Sequence, residues 1–256
     1  MTDAQSAPTT GPEPGALARV FGVFFSPAKT FESIARKPGW DWLVPVVLLI
    51  GLTLVAGIYI NPKLDTDTAI KDTMKRIEAR GSLPDAQREQ IQKSLEKQFG
   101  FVKSRWALIV GPLFVLIPLF FVSAVYLGAA KAMGAAARYG TILAGYAYCQ
   151  LPQLVKGLIG VAVALPRDSI DLNDIDHLVK SNLGSFLDAE ATAKPLMVLM
   201  NSVDLFEIWG VVLGSIMLSR TTKLSKNAAM IAVVSLWLLL VLVKVCGAAI
   251  GAAFGG

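Results

Sequence analysis

Four ionisable side chains, Lys156, Asp204, Glu207 and Lys244, stand in stretches otherwise apolar enough to face lipid. A charge at the centre of a membrane helix costs about 2.5 to 3.5 kcal/mol on the insertion scale, so two of each sign are expected to pair inside a helical bundle as a neutral cluster. Asp204 and Glu207 are i,i+3 neighbours with Asn201 one turn earlier, which reads as an acidic stripe on one helix face. Lys156 shares a face with Gln153, Cys149 and Gly160, and Lys244 with Gly247 and Gly251, faces suited to helix contact. Counted inward from the helix ends, the four lie about 11 to 17 residues deep, roughly 17 to 25 Å at 1.5 Å per residue. Such a cluster is either a fixed ion-pair lock between helices or a proton- or ligand-responsive site. In the second case it would open into a polar cavity with Tyr146, Tyr148, Gln150 and Gln153. A third possibility is that Lys156 and Lys244 snorkel towards the surface.

No other constellation in the sequence carries chemistry. The one histidine, His177, has no Ser or Cys arranged beside it as a nucleophile, so a hydrolase triad has nothing to be built from. Cys149 and Cys246 fall in apolar runs and offer neither a disulfide framework nor a zinc site. Phosphate-cradling GxGxxG and GxxxxGK[ST] loops are missing, and Asp204 has no second intramembrane aspartate to make a protease pair. No catalytic residue, cofactor or metal is therefore expected, and no enzymatic activity.

Composition points the same way. Of 256 residues 54% are hydrophobic and 17% charged, against about 25% charged in soluble domains, and the mean hydropathy is +0.56. The net charge of +5 comes without a block of like charges, which suits a membrane surface and excludes nucleic acid as a partner. Five stretches reach the length of roughly 20 apolar residues that a bilayer core requires: 42–60, 107–130 with Pro112 and Pro118 inside it, 139–165, 195–218 and 228–254. Helices satisfy their own backbone groups in lipid, so the expected fold is an all-α integral membrane bundle of five transmembrane helices.

The remaining segments are polar or amphipathic. Residues 1–16 read as a disordered, retained tail, and 17–254 as one membrane domain. Leu17, Val20, Phe21, Phe24 and Phe25 follow helical spacing among Arg19, Lys29, Arg36, Lys37, Trp40 and Trp42, with Ser26 and Pro27 as a helix start, the pattern of a helix lying in the headgroup plane or, alternatively, of an ordinary helix packed under the bundle. Residues 61–105 read as an extramembrane helical hairpin with stripes Ile70, Met74, Ile77 and Ile91, Leu95, Phe99; 166–194 is an acidic loop. Gly210 with Gly214, and Gly247 with Gly251, are GxxxG pairs that let helices approach, inside one bundle or between copies. Lys131 and Arg138, and Arg220, Lys223 and Lys226, lie in acid-free loops on the N-terminal side, which puts the N-terminus in the cytoplasm and the C-terminus, hairpin and acidic loop outside.

Three segments, FFSPAKTFESIARKPGW before the first span, GYAYCQLPQL in the third and FEIWGVVLGSIMLSRTTKLSKNAA leading out of the fourth, carry a resemblance. Over roughly 17–250 the chain resembles the prokaryotic branch of the Yip (Ypt-interacting protein) domain family, at Pro27, Phe31, Trp40, Tyr146, Pro152, Trp209, Leu218, Ser225 and Ala228. The resemblance implies a five-span protein of a prokaryotic cytoplasmic membrane with no known catalytic residues. Eukaryotic members contact small GTPases through an acidic-aromatic motif that this sequence lacks, so that partner is not carried over. Two functions stay open: a non-enzymatic membrane organiser or accessory subunit of a membrane complex, and a transporter of small solutes, ions or lipid that uses the intramembrane charges. The absence of an internal repeat counts against the transporter plan unless the chain dimerises. Expected partners are the bilayer itself and another membrane protein or a second copy.

Overall fold

The computed structural model describes residues 14–79, 84–188 and 191–254; most of the expected N-terminal tail lies outside them. Two short helices open the chain, α1 (Ala16–Phe25) and α2 (Pro27–Arg36), joined at Ser26. Proline fits the first position of α2 because its missing N–H would be unpaired there in any case. Ser26 occupies the N-cap position, but its hydroxyl makes no capping bond. The helices cross so closely that a Cβ on Gly22 would lie 2.5 Å from Thr30 Oγ1. α1 turns Val20, Val23 and Arg19 inwards and leaves Leu17, Phe21 and Phe25 exposed. Arg19, only 2% exposed, bonds Asp41 at 2.8 Å in the Trp40–Trp42 turn that leads into α3 (Leu43–Tyr59).

After α3 the chain forms β1 (Leu64–Asp65), α4 (Thr66–Glu78) and α5 (Asp85–Lys103), and with only Ser104 between them α5 leads into α6 (Arg105–Ala132). Pro112 and Pro118 do not interrupt α6. α4 and α5 pack against each other, with Arg88 and Glu78 paired at 2.8 Å. β1 pairs in parallel with β2 (Ile170–Asp171), Leu64 opposite Ile170, over a small cluster of buried Ile60, Leu64, Ala164 and Ile170. The polar insert after the first apolar helix and the loop that begins at 166 therefore meet at one end of the bundle. Asp65 caps α4 by accepting the Thr68 N–H at 3.0 Å; that bond, helped by the Thr68 hydroxyl, holds its carboxyl below the usual range.

Among the described residues, four helical stretches are long and apolar enough to cross a membrane: Trp40–Lys63, Arg105–Ala132, Tyr139–Ala164 and Lys226–Ala253. The third is two helices, α7 (Tyr139–Cys149) and α8 (Leu151–Ala164), because Pro152 in the first turn of α8 has no N–H with which to continue the ladder of α7.

The expectation of one continuous helix over 195–218 is corrected. The segment is broken into α9 (Lys194–Ser202) and α10 (Leu205–Thr222), and Asp204 between them is extended, φ −115° and ψ 138°. The last helix is α11 (Lys226–Phe254). The core lies where α2, α7, α10 and α11 converge, around fully buried Phe31, Ile142, Tyr148, Met217, Leu218 and Val233.

Candidate functional site

Asp204 is where the broken helix is rebuilt. As the N-cap of α10 it accepts the Phe206 N–H at 2.8 Å and the Glu207 N–H at 3.2 Å on Oδ1. Its Oδ2 takes the Lys156 ammonium of α8 at 2.8 Å and the Ser181 hydroxyl from the loop before α9. The same loop bonds the backbone on either side, Leu183 N–H to the Val203 carbonyl at 3.2 Å and Leu205 N–H to the Ser181 carbonyl at 3.0 Å. An ionised carboxylate offers about four lone-pair sites, and four donors fill them here. At 1% exposure Asp204 is buried with its acceptor sites occupied.

Glu207 begins from the same turn and ends elsewhere. Its Oε2 accepts the Trp237 indole N–H at 3.3 Å, and its Oε1 stands 3.8 Å from the Lys244 ammonium. That separation is an ion pair but exceeds the 2.7 to 3.2 Å of a hydrogen bond. The two side chains are 32% and 56% exposed. They edge a cavity of about 370 Å³ bounded by α6, α7, α8, α10 and α11, inside the size range of small-ligand sites. Tyr126, Tyr146, Gln150 and Gln153 are among the residues that line it, and the remaining lining is largely aliphatic and aromatic. Tyr126 and Tyr146 meet edge to face, with ring centroids 5.3 to 5.4 Å being the spacing of the tight aromatic pairs here and theirs 5.4 Å.

The four charges thus form two pairs, Lys156 with Asp204 and Lys244 with Glu207, one turn of α10 apart. Several expected neighbours fall elsewhere. Tyr148 points away from the cavity, fully buried, its hydroxyl donating to the Asp41 carbonyl at 3.1 Å. Asn201 is on α9 and does not continue a stripe with Asp204 and Glu207, because the chain turns between them; its Oδ1 is buried without a hydrogen-bond partner among the described residues. Gln153 and Cys149 line the cavity, whereas Lys156 leaves that face for Asp204. Gly210 lies against the Cys149 carbonyl and Gly214 against Val233, so this GxxxG pair closes contacts inside the bundle. Gly247 and Gly251, by contrast, have no atom of the described residues within 4 Å of a notional Cβ.

Three contributors were not singled out from sequence: Ser181, Trp237 and Tyr126. Trp237 precedes Lys244 by two helical turns and so shares its face, a signal present in the spacing. Ser181 reaches Asp204 only through the folding of the loop, which no local pattern announces. His177 Nδ1 does come within 3.3 Å of Ser185 Oγ, but that hydroxyl donates to Asn182 Oδ1 at 3.0 Å and belongs to the capped turn Leu183–Phe186. Among the described residues no group of three or more His, Cys, Asp or Glu side chains could hold a metal ion.

Searches of the curated proteins and of the solved structures found no match. The family model of the Yip1 domain matches residues 21–246, from α1 to the last third of α11. That match covers most of the chain, the broken helix and both ion pairs included, and with the apolar helices above it makes this an all-α integral membrane protein that belongs to the Yip1 domain family.

Proposed function

We propose that this Yip1 domain protein is a non-enzymatic membrane organiser or accessory subunit, crossing a prokaryotic cytoplasmic membrane five times with its N-terminus in the cytoplasm and its C-terminus outside. The observation that carries the reading is the α1–α2 pair. It is clamped to the bundle at two points, Arg19 on Asp41 and Glu32 on Arg220 of α10, while Leu17, Phe21, Phe25 and Trp40 stay exposed as an apolar face. A clamped amphipathic pair of this kind is suited to lie in one leaflet and hold a fixed position for a neighbouring membrane protein. Affinity purification of the full chain in mild detergent tests it. A second membrane protein at fixed stoichiometry is the expected result; a lone homo-oligomer contradicts it and favours the transporter.

α10 supports the fifth crossing. Its N-terminal cap bonds Ser181 in the polar loop at one end, and Arg220 near its other end pairs with Glu32 beside the N-terminal helices. Eighteen residues rise about 27 Å, close to the thickness of a bilayer core. The β1–β2 pairing supports a common side for the 61–105 hairpin and the acidic loop. In a Cys246→Ser background, a Gln87→Cys variant should react with a membrane-impermeant reagent in intact cells, and protection there contradicts the orientation.

A further inference from the structure

We infer that the cavity between α6, α10 and α11 binds a membrane phospholipid whose headgroup carries a primary ammonium and a phosphate, the ligand entering sideways from the bilayer. The inference stands apart from the organiser reading, since it needs no protein partner. Its first support is the opening. Phe121 of α6 and Leu239 and Leu240 of α11 line the cavity and are also exposed on the outside of the bundle, at 65%, 54% and 49%. A space whose wall is also the lipid-facing surface is entered from lipid, and its largely apolar lining suits an acyl chain.

The second support is the level of the polar end. Glu207 sits one turn along α10 from Asp204, and Asp204 accepts a hydroxyl from the polar loop. Glu207 therefore starts about 4.5 Å of axial rise from the residue that holds the polar loop at this end of the bundle. Leu236, Val125, Val211 and Val241 also line the cavity, so its charged groups stand in an otherwise largely apolar wall, the combination a lipid's headgroup and acyl chain require.

The third support is the chemistry of that end. Trp237 occupies Oε2 of Glu207, while Oε1 and the Lys244 ammonium are 3.8 Å apart, too far to satisfy each other as donor and acceptor. A primary ammonium placed at Oε1 gains an N–H donor bond to a carboxylate; a quaternary ammonium has no hydrogen to give. Lys244, with three donors and no acceptor, complements the phosphate, and Gln150 and Gln153, which carry both donors and acceptors, line the same cavity. An anionic headgroup without an amine would leave Glu207 facing a like charge.

The test uses the purified full chain, equilibrated with equal amounts of phosphatidylethanolamine, phosphatidylcholine and phosphatidylglycerol carrying identical acyl chains, and counts retained lipids by native mass spectrometry. The ethanolamine lipid should be retained about tenfold over the choline lipid, Glu207→Gln should bring that ratio near one, and Lys244→Met should lower retention of both. Equal retention of the three lipids by the wild type, preference for either of the other two, or an unchanged ratio in folded Glu207→Gln overturns the proposal. A measurement on the unmodified chain covers the case of an unstable variant. In vesicles, an ethanolamine phospholipid with a photoactivatable acyl chain should label peptides containing Phe121 and Leu239, and labelling confined to the outward face of α3 contradicts the site.

Discussion

Asp204 and Glu207 stand one helical turn apart and each faces a lysine on another helix, yet the two pairs are built for different ends. Asp204 is 1% exposed, accepts four donors, and joins α8, α10 and the loop before α9 at a single carboxylate. Glu207 keeps an acceptor oxygen 3.8 Å from Lys244, beyond hydrogen-bond range, and the two line a cavity of about 370 Å³. What separates them is the number of donors each can reach, and the break in the helix decides that number. At an N-cap, a carboxylate is within range of free backbone N–H groups; three residues later the N–H groups belong to the helix and the side chain points outward.

The largest effect is expected at the saturated pair. Asp204→Asn keeps capping capacity but removes the charge opposite Lys156, so it should lower stability by about 3 kcal/mol, read as a fall in melting temperature in detergent. Asp204→Ala should cost about 1 kcal/mol more, because the α10 cap is lost as well. Next comes the clamp on the N-terminal helices. Arg19→Met strands a half-exposed Asp41 and should cost about 1 to 2 kcal/mol, with faster hydrogen exchange confined to α1 and α2. At the open pair, Glu207→Gln and Lys244→Met should each change stability by no more than about 0.5 kcal/mol, since both side chains already reach solvent or headgroups. The smallest effect lies outside the bundle. The lowered pKa of Asp65 means its contribution is complete above the ordinary carboxylate value of about 3.9 and is lost as pH falls through the folded value. The Thr68 amide should lose exchange protection over that acidic range, and Asp65→Ala should remove the pH dependence.

How legible all this is in the sequence depends on the range of the interaction involved. The apolar stretches of α3, α6 and α11 follow from bilayer thickness acting on consecutive residues, and the structure contains helices there. Of the amphipathic set Leu17, Val20, Phe21, Phe24 and Phe25, α1 leaves Leu17, Phe21 and Phe25 exposed, whereas Val20 and Phe24 pack into the core. The break before α10 is harder, because averaging hydropathy over 195–218 hides a single extended residue. A local sign of it is present: Asp204 followed three residues later by Glu207 is the spacing of a helix start, and it competes with the equally valid reading of an acidic stripe inside a span. The kink at Gln150 is announced by Pro152. Ser181 on Asp204, Asp41 under Tyr148, and the two-residue pairing of Leu64 with Ile170 depend on distant segments meeting, for which neither periodicity nor composition carries a signal.

The contrast between the two pairs is measured most directly by a pair of double-mutant cycles in thermal melts of the detergent-solubilised full chain. One combines Asp204→Asn with Lys156→Met, the other Glu207→Gln with Lys244→Met. In the first cycle the double variant should recover about 1 kcal/mol or more of the summed single losses, because the second substitution removes the ammonium left without its partner. In the second the losses should add within about 0.5 kcal/mol. Additive losses at Asp204 and Lys156, or a stronger coupling at Glu207 and Lys244 than at that pair, would contradict the assignment of the first as the lock and the second as the open site.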